Sequence, residues 1–138
     1  MIIEHNSEGM ITHVVNDPIP AGLVEVMDEN GATYLNFPPV KKGDETVFVE
    51  CDIQFDYIRD GKITRRPTFD LPTELDLKVG ETKIFQLPAG TKVYVDGEPT
   101  TLEDGELEIG AEMPAEYQLY ITNFPYVEVF LKVTVHEA

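Results

Sequence analysis

Apolar and polar residues alternate with period two along much of this chain. Over residues 46–57, Val47, Val49, Cys51, Ile53, Phe55 and Tyr57 are apolar, and Phe48, Glu50, Asp52, Gln54 and Asp56 lie between them. That pattern predicts a strand with one buried face. Asp60-Gly61 follows, a pair that readily takes positive φ at both corners of a tight hairpin. Residues 62–66 run back until Pro67, which cannot donate to a ladder. Near the other end, Val127, Val129, Leu131, Val133 and Val135 alternate with Glu128, Phe130, Lys132, Thr134 and His136. Residues 126–136 are therefore expected to form a long strand.

The same reading covers the rest of the chain. Residues 1–4 and 10–15 read as an N-terminal hairpin around Asn6-Ser7-Glu8-Gly9. Prolines 18 and 20 mark an extended loop. Residues 23–27 and 32–37 read as two strands joined at Asn30-Gly31, and residues 41–45 as a polar loop. Residues 68–73, with Pro72 soon after Pro67, read as a linker. Strands are expected over 74–79, 82–87, 91–95 and 116–122, with turns at Asp96-Gly97 and Asp104-Gly105 and a further alternation at Leu107 and Ile109. No window carries sustained apolar spacing of three and four, so no helix longer than a turn or two is expected. Strand-like runs recurring every 8–12 residues or so predict an all-β protein. Its expected organisation is a small hairpin-rich antiparallel domain over residues 1–66 and a β-sandwich of the Ig-like or Greek-key type over residues 67–138.

Charge adds one feature to this picture. The chain of 138 residues carries a net charge of −16. Such a surface disfavours nucleic acid and anionic membranes as partners, since both recruit basic residues. The charge is uneven: −9 over residues 1–56, +3 over 57–66 and −10 over 67–138. All three arginines lie in the basic stretch, as Arg59, Arg65 and Arg66, together with Lys62. This hairpin is a candidate docking face for an acidic partner or a second copy; the plainer reading is a solvated strand face, where exposed pairs contribute only about 0–1 kcal/mol each. Phe124-Pro125-Tyr126 is a second candidate contact, because aromatic side chains in proline-framed loops anchor interfaces. Its plainer reading is a hydrophobic plug at a strand end.

Candidate chemistry is sparse. His5, His13 and His136 are scattered and lack the short ligand spacing of a metal site. The acids at Asp96, Glu98, Glu103, Asp104, Glu106 and Glu108 lack the calcium-loop spacing. Ser7 is the single serine and stands in a turn without an acid–base partner. Cys51, the single cysteine, permits no internal disulfide, and the acids beside it raise a thiol pKa rather than lower it. No glycine-rich phosphate loop occurs. No enzyme, cofactor or metal is expected. No apolar run reaches the ~20 residues of a membrane span. The N-terminal residues lack the basic region and long apolar core of a secretory signal, so the chain is expected to be made in the cytosol.

Several of these elements occur together in a recognisable order. The order is Gly9-Met10-Ile11, then Pro18-Ile19-Pro20-Ala21-Gly22, Tyr34-Leu35, and Tyr57-Ile58-Arg59-Asp60-Gly61-Lys62-Ile63-Thr64-Arg65-Arg66-Pro67. Two further segments follow: Leu87-Pro88-Ala89-Gly90-Thr91-Lys92-Val93-Tyr94-Val95-Asp96-Gly97, and Tyr117-Gln118-Leu119-Tyr120-Ile121-Thr122-Asn123-Phe124-Pro125-Tyr126. This succession resembles small structural proteins of tailed bacteriophages, namely tail-fibre-associated, hinge or adaptor components. The resemblance implies a virion structural role, protein–protein contacts with other tail or tail-fibre proteins, a homo-oligomer or multiple copies, and no catalytic residues. The residues expected to carry those contacts are Arg59, Lys62, Arg65, Arg66, Phe124 and Tyr126. A glycan-binding or adhesion module of the sandwich type is the alternative. It requires an exposed aromatic platform drawn from Tyr94, Tyr120 or Tyr126.

Overall fold

The protein's structure, a computed structural model, describes residues 1–138. It is an all-β protein of fourteen strands and one seven-residue helix. The chain divides into two compact units, Met1–Arg66 and Pro67–Ala138.

The first unit is built on β1 (Ile2–His5), an apolar segment that is covered on both faces. β1 pairs antiparallel with β2 (Ile11–Val15) and with β3 (Tyr34–Asn36). Alternation puts Met1 and Ile3 on one side and Ile2 on the other, and all three are buried. Met1, Ile3 and Ile11 form a core with Ile58, and Val14, Leu35, Phe37, Val49, Cys51 and Ile63 pack against it. The buried α-amino group of Met1 donates to Asp17 Oδ2 at 2.7 Å and to the Phe37 carbonyl at 3.0 Å.

Residues 23–27 do not form the expected strand. They begin helix α1 (Leu23–Glu29), so β3 pairs with β1 instead of with this segment. Leu23, Val24 and Met27 fall at helical spacing, and they are the less exposed residues of α1, with Met27 buried. Asn30-Gly31 ends the helix rather than turning a hairpin: the Asn30 N–H returns to the Val26 carbonyl at 3.0 Å, and Gly31 adopts φ +68. A Cβ at Gly31 would meet open space. Gly31→Ala is therefore expected to cost only the left-handed penalty, about 1–2 kcal/mol. A thermal melt of the variant checks this as a modest fall in Tm.

Residues 41–45, expected as a loop, are part of a small hairpin of β4 (Val40–Lys42) and β5 (Glu45–Val47) turning at Gly43. The long alternating run then fails as a strand. Residues 48–55 are irregular, and pairing resumes only in β6 (Asp56–Arg59), which joins β7 (Lys62–Arg65). The turn of that hairpin is as expected, with Asp60 and Gly61 at φ 53 and 73.

The second unit holds a five-stranded sheet in the order β11 (Glu98–Leu102), β10 (Thr91–Val95), β13 (Ala115–Thr122), β14 (Val129–His136), β8 (Glu74–Lys78). All its pairings are antiparallel except β14 with β8. A two-stranded ribbon of β9 (Thr82–Gln86) and β12 (Glu106–Gly110) contributes to the same core. The alternation read in the sequence determines which side chains enter it. Val93, Leu119, Ile121, Leu131, Val133, Val135 and Leu77 are buried from the sheet, and Leu107 and Ile109 from the ribbon. Full burial of each such side chain contributes about 1.5–3 kcal/mol. Residues 68–73 are not a free linker: Thr68 bridges Val127, and Phe69 is buried in the core.

Candidate functional site

The hairpin β6–β7 carries the cations proposed for docking, and its register decides where each one points. Arg59 lies opposite Lys62, and Asp56 opposite Arg65. Alternation then places Arg59 and Lys62 on one face with Tyr57 and Thr64, and Arg65 on the other with Asp56, Ile58 and Ile63. The basic residues are thus divided between two faces instead of forming a single patch. Arg59, Lys62 and Arg65 are exposed. Arg65 Nη1 lies 3.6 Å from Asp56 Oδ1, and its guanidinium stands 5.9 Å from the centre of the Phe55 ring.

Arg66 is a different case and corrects the expectation of a docking residue. It is only 8% exposed. Its Nη1 donates to the Gln54 carbonyl at 2.9 Å, and its backbone N–H donates to the Phe55 carbonyl at 2.8 Å. It braces the irregular segment that precedes β6. Two aspartates complete that brace: Asp56 Oδ2 accepts from the Asp52 N–H at 2.8 Å, and Asp52 Oδ1 accepts from the Gln54 N–H at 2.9 Å. Side-chain acceptors of this kind compete with a ladder for backbone N–H groups, which is why the alternating run turns here.

The consequence is an exposed apolar surface. Phe48 is 58% exposed, Ile53 52%, and Val47 and Phe55 are also open to solvent. Cys51, in the same segment, is half-buried; burial, then the charges of Asp56 and Asp52, push its thiol pKa up, as its acidic neighbours suggest.

In the second unit, Tyr126 also departs from its expected role. Its ring stacks on the buried Phe69 at 4.8 Å and an interplanar angle of 14°, so it plugs the core. Phe124 is half-buried and precedes Pro125 through a cis peptide bond.

A separate aromatic group lies on the outward face of the five-stranded sheet. Tyr94 pairs with Tyr120, and Tyr120 with Phe130, across β10, β13 and β14. Their ring centroids are 5.6 and 4.8 Å apart, with tilts of 45° and 32°. Phe130 is 58% exposed. Together with Asp96, Gly97 and Gln118 these rings line an open groove of about 430 Å³. Beside it, Lys132 Nζ pairs with Glu116 Oε1 at 3.1 Å, and this partner raises the Lys132 pKa. The sequence reading singled out Tyr94 and Tyr120 but not Phe130. The available signal was an aromatic residue at an outward position of β14, among Lys132, Thr134 and His136.

His13 lies opposite Glu4 in the first hairpin, and His136 Nε2 lies 3.1 Å from Asp76 Oδ1. No group of three or more His, Cys, Asp or Glu side chains converges as a metal cage would require. Asp104 caps its own turn, its Oδ1 accepting from the Glu106 N–H at 3.0 Å. No helix is long and apolar enough to cross a membrane. No family model, curated protein or solved structure matches this chain.

Proposed function

We propose that this protein is a structural component of a tailed-phage virion, joining tail or tail-fibre parts through protein–protein contacts. It is made in the host cytoplasm and resides in the particle in multiple copies or as a homo-oligomer. The observation that carries the reading is the exposed apolar surface of residues 47–55, with Arg65 of the β6–β7 hairpin beside Phe55, while Arg59 and Lys62 lie on the other face of that hairpin. Phe48, Ile53 and Phe55 are large side chains left in water on a segment that the fold itself braces. Such groups anchor interfaces when a partner desolvates them, while charges at the rim steer and register the approach. The order of hairpin and turn motifs, which resembles phage tail-fibre-associated proteins, supports the same reading. The docking set is Arg59, Lys62 and Arg65 with Phe48, Ile53 and Phe55; Arg66 and Tyr126 serve the fold.

The test is incorporation into particles. A variant with Arg59→Glu, Lys62→Glu and Arg65→Gln reverses the charge of the hairpin without setting a second carboxylate opposite Asp56. A second variant, Phe48→Ser with Ile53→Ser, removes the apolar anchors. Each is expected to lower the amount of this chain in purified particles at least about tenfold, equivalent to ~1.4 kcal/mol of lost contact, with unfolding midpoints close to the parent's. Incorporation at the parental level in both variants overturns the proposal.

A further inference from the structure

The geometry points to the outward face of the five-stranded sheet as the place where two copies of this chain join, in a two-fold dimer with the aromatic row of each copy seated in the groove of the other. This deepens the multiple-copy part of the assembly reading and rests on that reading for its place in a particle. The surface itself belongs to the second unit, and its test needs only the purified chain.

The rings of Tyr94, Tyr120 and Phe130 stack on one another across β10, β13 and β14, with centroids 5.6 and 4.8 Å apart. Their faces are turned mostly to each other, so the row stands as an apolar ridge. Phe130, at one end, is 58% exposed. Beside the ridge runs the open groove, lined by Asp96 and Gln118, with Lys132 opposite Gln118 on β14. These three residues lie two positions from Tyr94, Tyr120 and Phe130 respectively, so ridge and groove run side by side across the same strands. A two-fold axis midway between them lays each ridge in the other copy's groove. Self-complementarity of this kind is what a two-fold contact requires.

The chemistry matches along the whole line. The Tyr94 hydroxyl meets the partner's Asp96, an acceptor. The Tyr120 hydroxyl meets the partner's Gln118, which can donate and accept. Phe130 meets the methylene stem of the partner's Lys132, whose ammonium keeps its pair with Glu116 at 3.1 Å. Thr122, one row behind the ridge, meets the partner's Glu116. Every contact occurs twice.

Charge selects a second copy over other occupants. Residues 67–138 carry 14 acids and four lysines. Three of those lysines, Lys78, Lys92 and Lys132, take exposed outward positions on the five strands, against Glu74, Asp76 and Glu116. Both signs are therefore equally present on these strands, in a unit whose net charge is −10. Elsewhere two copies repel; across this face they do not. A strongly acidic or strongly basic partner would meet like charge here, whereas the same face turned over brings both signs. Four strand spacings by the eight residues of β13 and β14 give a footprint of about 500 Å² on each copy. Two such footprints reach ~1,000 Å², the lower bound of specific interfaces, so the dimer is expected to be reversible, with Kd on the order of micromolar.

Sedimentation equilibrium of the full purified chain over about 2–200 µM tests this. The mass is expected to rise from that of one chain, 15.5 kDa, toward twice that value. Phe130→Ser removes the exposed end of the ridge and should raise the dimer Kd at least about tenfold. Thr122→Asp sets a carboxylate opposite Lys92 within the chain, which favours the fold, and opposite the partner's Glu116 across the axis, which does not. It should weaken the dimer about tenfold with a Tm at or above the parental value. Phe48→Ser with Ile53→Ser, in the first unit, should leave the dimer unchanged. A mass of one chain at every concentration overturns the inference. So does an association that neither Phe130→Ser nor Thr122→Asp weakens, or one that the first-unit variant abolishes.

Discussion

Replacing Gly9 or Gly105 with alanine should remove about 2–5 kcal/mol from the unit that holds it. Both glycines adopt left-handed backbone, at φ +88 and +80. Each is also pressed against another segment. A Cβ at Gly9 would overlap the Ile58 carbonyl oxygen, and one at Gly105 would overlap the Leu87 carbonyl oxygen. The approach cannot relax, because each glycine also bonds to the same residue that blocks its Cβ. The Ile58 N–H donates to the Gly9 carbonyl, and the Leu87 N–H to the Gly105 carbonyl, both at 2.8 Å. Ile58 and Leu87 are themselves core residues. Alanine therefore incurs the left-handed penalty of about 1–2 kcal/mol and a backbone overlap of about 1–3 kcal/mol. Gly61, at φ +73 in open space, is the control and should show only the first of these costs. Denaturant unfolding of Gly9→Ala, Gly105→Ala and Gly61→Ala measures the difference; equal midpoints for all three would show that the close approach carries no energy.

Arg66→Ala should loosen the segment before β6 and cost about 2–3 kcal/mol. The guanidinium is buried and donates to the Gln54 carbonyl, so its removal leaves that acceptor without its charged donor. The loss also takes away the packed stem of the side chain. Arg66→Lys should not restore the parent, since an ammonium cannot reproduce the planar fork. The readout is limited proteolysis. Cleavage within residues 48–55 should accelerate in both variants, while Arg65→Ala, at an exposed position, leaves the rate near the parental one. If Arg66→Ala is cut no faster than the parent, the brace is not what holds this segment. This contrast also separates the neighbours Arg65 and Arg66, which are indistinguishable by charge but opposite in burial.

Legibility along the chain followed the strength of the local pattern. In β14 the alternation named the buried residues Leu131, Val133 and Val135 correctly, because one face of a sheet meets a core and the other meets water. The Asp60-Gly61 turn was equally readable, since few residue pairs tolerate positive φ at both corners. The run over residues 46–57 was no less regular, yet its Asp52 and Asp56 carboxylates bind backbone N–H groups and fold it into a turn. Residues 23–29 misled for a related reason. Leu23, Val24, Val26 and Met27 suit either a strand or one side of a short helix, and Asn30-Gly31 serves both a hairpin and a helix end.

The candidate sites divide in the same way. That cations cluster near Asp60-Gly61 was plain from the sequence, but the burial of Arg66 and the split of the others between two faces depend on register and on the carbonyls of Gln54 and Phe55. Tyr94, Tyr120 and Phe130 lie on three strands, 26 and 10 positions apart in the chain, and only pairing brings them into one row.

The amino-acid sequence by itself determined that this is an all-β chain, where its tightest turns fall, and which side of its longest strands is apolar. Those properties follow from backbone sterics and period-two alternation, which act locally. Tertiary structure alone decided which strands pair, which charged groups are enclosed and which aromatic rings meet. Each of those outcomes depends on groups remote in the chain competing for the same hydrogen bonds and the same apolar space.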